Sequence, residues 1–381
     1  MKKLWMAFVL LAVAGGVYAQ ETAPQHPFQN TALSEDERLD NALSLMTVDE
    51  KLATLVGQGV PRLGIANPGA TEAIHGIVRG GDAELPGLNT GQFGGWPGRP
   101  KPKYRNSTAF PQAYGIGETW DREMAKLVGD VMSHEARFYS HDAEWKCLIL
   151  WAPNADLARD PRWGRTEESF GEDPYLVGEM VAAEVKGIQG DDPHYWRGAS
   201  LMKHFLANSN EDNRYKTDSR FDEALFRDYY SYGFWKGAKA GSMSLMTAYN
   251  AYNGVPCIAN PFIKDILQDE WGMKGTIVDD AGALRFLYMP EMHGYAQDEN
   301  EAVRMALEAG LTRFIDARFE QVKAAWEAGF ISEALLNERA KTTCAPCSGW
   351  ASWTPRAPMT PWRMATNSPG KRRKPATRRA W

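Results

Sequence analysis

The sequence predicts an α/β protein, a TIM-like (β/α)8 barrel in which parallel strands alternate with helices. Three observations lead there. Short apolar runs, "CLILWAP" (147–153), "ASLMKHF" (199–205), "SLMTAYN" (244–250) and "GTIVDD" (275–280), have the length and character of buried strands. Helical patterns surround them at 121–138, 173–189, 222–240, 261–271, 298–309 and 318–328, and alternation on this scale is most often closed as a barrel. No GxGxxG follows any of the runs, which disfavours a doubly wound open sheet.

Taken in chain order, "MKKLWMAFVLLAVAGGVYAQ" places two lysines before an apolar run and a small-x-small site. This is the pattern of a secretory signal, residues 1–19, cut after Ala19. The run falls short of the roughly 20 residues of a bilayer span, so we expect export to the periplasm or the extracellular space and no membrane contact after cleavage. A polar linker, 20–33, precedes one globular unit over 34–341. Its first clear helix opens in "TVDEKLATLVG", where Thr47 and Glu50 form a capping box ahead of Leu52, Leu55 and Val56. The Gly- and Pro-rich stretch 80–108 reads as a long insertion of the functional or mobile kind.

Charge is unevenly spread. Nine of the 43 basic residues and none of the 48 acidic ones lie between Lys341 and Trp381, so the rest of the chain carries an acidic surplus of 14. An acidic body argues against a nucleic-acid partner. Four cysteines, Cys147, Cys257, Cys344 and Cys347, do not make a disulfide framework at this length, and "CAPC" (344–347) without a second pair is a weak redox or metal signal. The seven histidines form no HxH or HExxH group, so no metal is expected, and no pattern calls for a cofactor.

Polar residues end the apolar runs: Asn154 and Asp156, Lys203 and His204, Tyr249 and Asn250, Asp279 and Asp280. In a barrel those ends converge on one face and can build one pocket. Adjacent strand residues point to opposite sides, so at most one of Asp279 and Asp280 looks into the mouth; the other faces the helices or binds loop backbone. Lys203 and His204, together with Arg165, suit binding of hydroxyl groups and holding a nearby carboxylate ionised. "RDPRWGRTEESFGEDP" (159–174) reads as a solvated, ion-paired loop anchored by Trp163.

"PNADLARDPRWGRTEESFGEDPYLVGEM", "KHF", "LMTAYNAYNGVP" and "WGMKGTIVDDAGA" together resemble the successive signatures of family 3 glycoside hydrolases, the β-glucosidase and β-xylosidase group. "TEAIHGI" (71–77) and "TAFPQAYGIGETWD" (108–121) are similar to that family's first strand and following segment. The resemblance implies hydrolysis of terminal β-glycosyl residues of a β-linked oligosaccharide or aryl glycoside by a retaining mechanism. It assigns the nucleophile to Asp280, with Asp279 where the family has Ser. It assigns hydroxyl binding in the reacting subsite to Arg165, Lys203 and His204, puts Tyr249 near the nucleophile, and gives the far hydroxyls of the sugar to Glu72. A Glu at that position leans towards the xylosidase branches.

In two-domain members the acid/base group comes from a second α/β sandwich domain after the barrel. Here the resemblance stops after "SEALLNERAK", and residues 342–381 are rich in Pro, Trp and Arg with no element pattern. Codons able to encode "CAPCSGWASWT" also permit, one base upstream, "LRAVLRVGLLD", which resembles the family's continuation out of the last barrel helix. A frameshift is therefore the expected origin of the tail, with "CAPC" an accident of frame and turnover impaired in the chain as written. Two alternatives remain open: a single-domain β-N-acetylhexosaminidase, although "KHFLANSNEDN" lacks that group's Gly-His-Gly, and a catalytically dead sugar-binding relic.

Overall fold

The computed structural model describes residues 25–78, 107–141, 146–192 and 195–348. The signal segment, most of the 80–108 insertion and the tail beyond 348 lie outside the described residues. Two helices, α1 (Glu35–Leu45) and α2 (Val48–Leu55), precede strand β1 (Ala70–Glu72). Next come α3 (Ala113–Gly117), α4 (Arg122–His141), β2 (Ile149–Trp151), α5 (Pro174–Gln189) and β3 (Ala199–Phe205). The short β4 (Asp218–Ser219), α6 (Glu223–Leu225), α7 (Tyr232–Lys239) and β5 (Ser244–Thr247) follow. A rim hairpin, β6 (Ala251–Tyr252) and β7 (Val255–Pro256), leads to β8 (Thr276–Val278) and α8 (Ala283–Tyr288). The helices α9 (Glu299–Ala309), α10 (Phe319–Glu327) and α11 (Glu333–Ser348) complete the described chain.

The architecture is α/β and barrel-like. Among the described residues, five parallel strands pair in the order β1-β2-β3-β5-β8, and a parallel bridge from Val278 to Arg313 carries the sheet on to the next segment. Side-chain alternation divides the strands between two cores. Ile149, Ala199, Leu201, Met246 and Val278 face inward, over Phe28, Leu39, Val60 and Ile65 of the N-terminal segment. Leu150, Met202, Leu245 and Ile277 face outward and meet the helices. Residues that continue the inward set past Val278 therefore arrive at the barrel mouth.

Several elements depart from expectation. Helix α1 forms before the first helix anticipated, because Ser34 and Glu37 make their own capping box: the Ser34 amide donates to Glu37 Oε2 at 2.9 Å and the Glu37 amide to Ser34 Oγ at 3.3 Å. Part of the expected linker is folded too; Phe28 is 1% exposed, and Arg38 Nε donates to its carbonyl at 2.8 Å. The stretch 222–240 is not one helix but α6, a π-helical segment Phe226–Tyr230 and α7, and Ile263–Glu270 is π-helical as well. Residues 342–348, expected to have no element, prolong α11: Thr343 Oγ1 donates to the Thr312 carbonyl at 2.6 Å and Cys344 is 2% exposed in the inner core. Strand β3 fills its whole apolar run, whereas β2, β5 and β8 stop short of the ends of theirs.

Beside the mouth, Phe205 at the end of β3 is fully buried on the outer face. Four rings enclose it edge-on: Phe262 at 4.8 Å, Phe234 at 5.0 Å, Trp271 at 5.8 Å and Phe226 at 6.1 Å between centroids. Such pairs add about 0.5–1.5 kcal/mol each beyond their buried area. This cage fixes the strand end that carries Lys203 and His204.

Candidate active site

Alternation along β8 decides between the two aspartates. Thr276 and Val278 share a side of the strand, and Asp280 continues it past the strand end; Ile277 and Asp279 lie on the other. Asp279 is fully buried, and its Oδ1 accepts the Ile315 amide at 2.7 Å. Burial first, then the charge of Asp316, pushes its carboxyl well above the usual carboxylate range. Asp316 Oδ2 in turn accepts the Gly282 amide at 2.9 Å. These two aspartates clamp the segment after Gly310 to the loop that carries Asp280. Asp279 is thus the backbone binder of the pair.

Asp280 has its side chain 13% exposed, with Oδ2 3.8 Å from His204 Nε2 and Oδ1 accepting the Ala281 amide at 2.8 Å. Burial raises its carboxyl to about 6, against opposing pulls from Lys203, the Ala281 amide, Arg165 and the Tyr249 hydroxyl. The cations pull in the direction expected, but burial outweighs them. At neutral pH the group is still mainly a carboxylate, partly desolvated and therefore a stronger nucleophile than one in water.

Lys203 and His204 both reach this site although they are neighbours. Pairing of β3 with β5 runs Met202 to Leu245, then Phe205 to Thr247, so two residues on β3 stand opposite one on β5. That bulge re-aims the extra side chain. Lys203 is 2% exposed, and its Nζ donates to both carboxylate oxygens of Glu72 at 2.7 Å. Glu72, at the end of β1, is 23% exposed at the side chain and faces the mouth. A buried ammonium of this kind requires its partner.

His204 is likewise 2% exposed. Its amide and Nδ1 both lie 3.0 Å from Asp156 Oδ2, and its Nε2 lies 3.2 Å from Arg165 Nη2. Burial, then the nearby charges of Arg165, Lys203 and Arg214, lowers the imidazole well below its ordinary value. Arg165 makes a forked pair with Glu168, Nε to Oε1 at 3.0 Å and Nη2 to Oε2 at 2.8 Å. Glu168 Oε2 also accepts from Asn154 Nδ2 at 3.3 Å. Trp163, 4% exposed, donates from Nε1 to Glu211 at 2.9 Å. The 159–174 loop is ion-paired as expected but is not solvated at Arg165, whose side chain is 20% exposed.

Tyr249 donates from its hydroxyl to the Ala281 carbonyl at 2.7 Å. Arg214 stacks on its ring at 4.3 Å and Phe286 lies beside it at 5.3 Å. Burial and then the Asp280 charge push the phenol up, so it stays protonated as a donor. The structure therefore brings together all six anticipated residues: Glu72, Arg165, Lys203, His204, Tyr249 and Asp280. It adds Glu168 and Arg214, which sequence reasoning left out of the site, and gives a definite contact to Asp156, which that reasoning had placed only among the rim residues. Asp156 was visible only as a polar residue after an apolar run, and Glu168 and Arg214 only as charges in polar loops. What assigns them is the bulge and the loop path, which no local pattern encodes. A separate cavity of about 30 Å³, lined by Gly57, Ile149, Thr276 and Cys344 among others, sits at the opposite end of the strands and is too small for a sugar.

Comparison with known proteins gives a consistent picture. The sequence model of the glycosyl hydrolase family 3 N-terminal domain matches residues 97–343. A periplasmic β-glucosidase of Salmonella typhimurium is 33% identical over 329 residues, covering 81% of this chain and 41% of that protein. A β-xylosidase of Formosa agariphila is 34% identical over 326 residues, covering 82% and 40%. Among solved structures, an exo-β-xylosidase bound to a xylobiose aziridine activity-based probe superposes with a TM-score of 0.75 at 25% identity, covering 86% of this chain and 42% of that one. A β-glucosidase of Thermotoga neapolitana with α-D-glucose gives 0.66 at 25% identity, covering 83% and 43%. The chain spans about two fifths of the length of these relatives.

Proposed function

The chain belongs to glycosyl hydrolase family 3, and on that premise we propose that it acts on terminal non-reducing β-D-glucosyl or β-D-xylosyl residues by retaining double displacement, with Asp280 as nucleophile. One observation carries the reading: Asp280 stands ionisable at the mouth, within reach of a hydroxyl-binding set made by Glu72, Arg165, Lys203, His204 and Tyr249. Asp280 attacks the anomeric carbon while the leaving oxygen departs, giving a glycosyl-enzyme that water then resolves. Arg165 and Lys203 offset the charge of Asp280 and orient the sugar, Glu72 accepts from hydroxyls far from the scissile bond, and Tyr249 donates beside the nucleophile. The second carboxyl of such a mechanism is expected from a domain beyond residue 341. General acid assistance of this kind contributes about 10²–10⁴-fold for poor leaving groups and least for good ones.

The N-terminal pattern and the periplasmic relative support export as part of the same reading. Among the described residues, no helix is long and apolar enough to cross a membrane.

The test is hydrolysis of aryl β-D-xylosides and aryl β-D-glucosides by the full chain, with the first-formed sugar followed by proton NMR. We expect the β-anomer to form first. Initial release of the α-anomer contradicts the retaining mechanism.

A further inference from the structure

We infer that Asp156 is a positioning residue that locks His204 as the Nδ1-protonated tautomer, so that His204 enters the sugar site as a hydrogen-bond acceptor and cannot serve as the general acid. As a statement about catalysis this rests on the glycosidase reading; as a statement about the imidazole it does not.

The argument turns on which groups can donate. A guanidinium has donors and no acceptor. Arg165 Nη2 lies 3.2 Å from His204 Nε2, so Nε2 must supply a lone pair. The neutral ring then carries its proton on Nδ1, which lies 3.0 Å from Asp156 Oδ2. The same oxygen accepts the His204 amide at 3.0 Å, so ring and backbone are held by one acceptor. Burial raises the Asp156 carboxyl to about 8; its proton sits on Oδ1, which has no other partner, while Oδ2 already accepts the His204 amide and so stays an acceptor towards Nδ1.

Asp156 is itself held rigidly. It is 2% exposed, its amide donates to Asn154 Oδ1 at 2.8 Å, and its carbonyl accepts from Ser169 Oγ at 2.6 Å. One stretch of chain, Asn154 to Ser169, thus wraps His204 from both sides: Asp156 fixes Nδ1 and Arg165, braced by Glu168, faces Nε2. The charged groups around the ring are Arg165, Lys203 and Arg214 on one hand and Asp156 and Asp280 on the other. With three cations close by, the ring stays neutral. His204 Nε2 lies 3.8 Å from Asp280 Oδ2, and it has no proton on that side to give. A sugar hydroxyl entering beside Asp280 donates to Nε2 in competition with Arg165, which leaves Arg165 free to donate to the sugar.

The experiment uses the full chain labelled with ¹⁵N-histidine, and long-range ¹H–¹⁵N spectra, with the His204 signals identified by their loss in His204→Gln. In the unaltered protein we expect a neutral ring protonated at Nδ1 throughout pH 5–8. Asp156→Asn keeps an acceptor oxygen and should preserve both that signature and the rate of inactivation by an activated 2-fluoro glycoside to within about threefold. Asp156→Leu should lose the Nδ1–H signature and slow inactivation about 10–100-fold, the range set by one unsatisfied buried polar group, with most of the loss in the binding constant. A ring protonated at Nε2 in the unaltered protein, or an unchanged tautomer and inactivation rate in Asp156→Leu, overturns the inference. If Asp156→Leu does not fold, the unaltered protein and Asp156→Asn still decide it, since loss of the signature in the latter is equally fatal. Absence of any inactivation in the unaltered protein sinks the glycosidase reading, while the tautomer measurement still stands on its own.

Discussion

Asp280 titrates where its chemistry can be measured. With its carboxyl raised to about 6, the nucleophilic form is lost as pH falls through that value and is complete above it. The rate of covalent labelling should therefore rise with pH and level off above about 6, and a profile flat from pH 4 to 8 counts against the assignment. Lys203 leads the groups that pull this value down, so Lys203→Met should move the inflection to higher pH as well as weaken sugar binding. Glu72→Gln should be costly for another reason. It leaves the Lys203 ammonium, 2% exposed, with its forked acceptor gone, and breaking a pair of this kind costs about 3–5 kcal/mol when fully buried; the partial exposure of Glu72 puts the loss measured by thermal melting near the lower end. At this scale much was legible. Side-chain parity showed that only one of Asp279 and Asp280 enters the mouth, and the family resemblance named Asp280. The joint arrival of Lys203 and His204 was not, since it depends on an extra residue in β3 that only the partner strand reveals.

At the level of elements, helix α5 carries a buried acid that the site does not use. Glu184 is 1% exposed, its Oε1 has no partner, and burial raises it from 4.5 to about 8. A folded-state value above the unfolded one means that stability is full below pH 4.5 and is lost as pH rises through 8. Glu184→Met should therefore melt much as the parent does at pH 5 but gain about 2–4 kcal/mol at pH 9, and equal gains at both pH values contradict the burial account. The aromatic cage makes a second prediction: Phe205→Ala should cost about 3–5 kcal/mol and displace Lys203 and His204 with the strand end, visible as lost labelling even in the fraction that remains folded. The helices with strong periodicity, α4, α5, α9 and α10, were readable within a few residues because an apolar stripe survives any context. The segment 222–240 was not, because it breaks into α6, π-helical turns over Phe226–Tyr230 and α7, a change of winding that the residue pattern does not mark. Helix α1 was passed over although its capping box stands in the sequence, and residues 342–348 join α11 because Cys344 finds a place in the inner core.

Over the whole molecule, the inward and outward cores explain why a chain of modest local strand signal still forms a parallel sheet: each strand is buried on both sides, so its pattern is a short apolar run, not an alternation. The family match ends at residue 343, inside α11.

The central claim is that a single carboxylate at the barrel mouth bonds to the anomeric carbon of a sugar. Mass spectrometry of the intact and digested protein after reaction with an activated 2-fluoro β-xyloside or β-glucoside tests it most directly. The account predicts one sugar added, on the peptide containing Asp280, and none in Asp280→Asn. A sugar on a different residue, or equal labelling of Asp280→Asn, would contradict it.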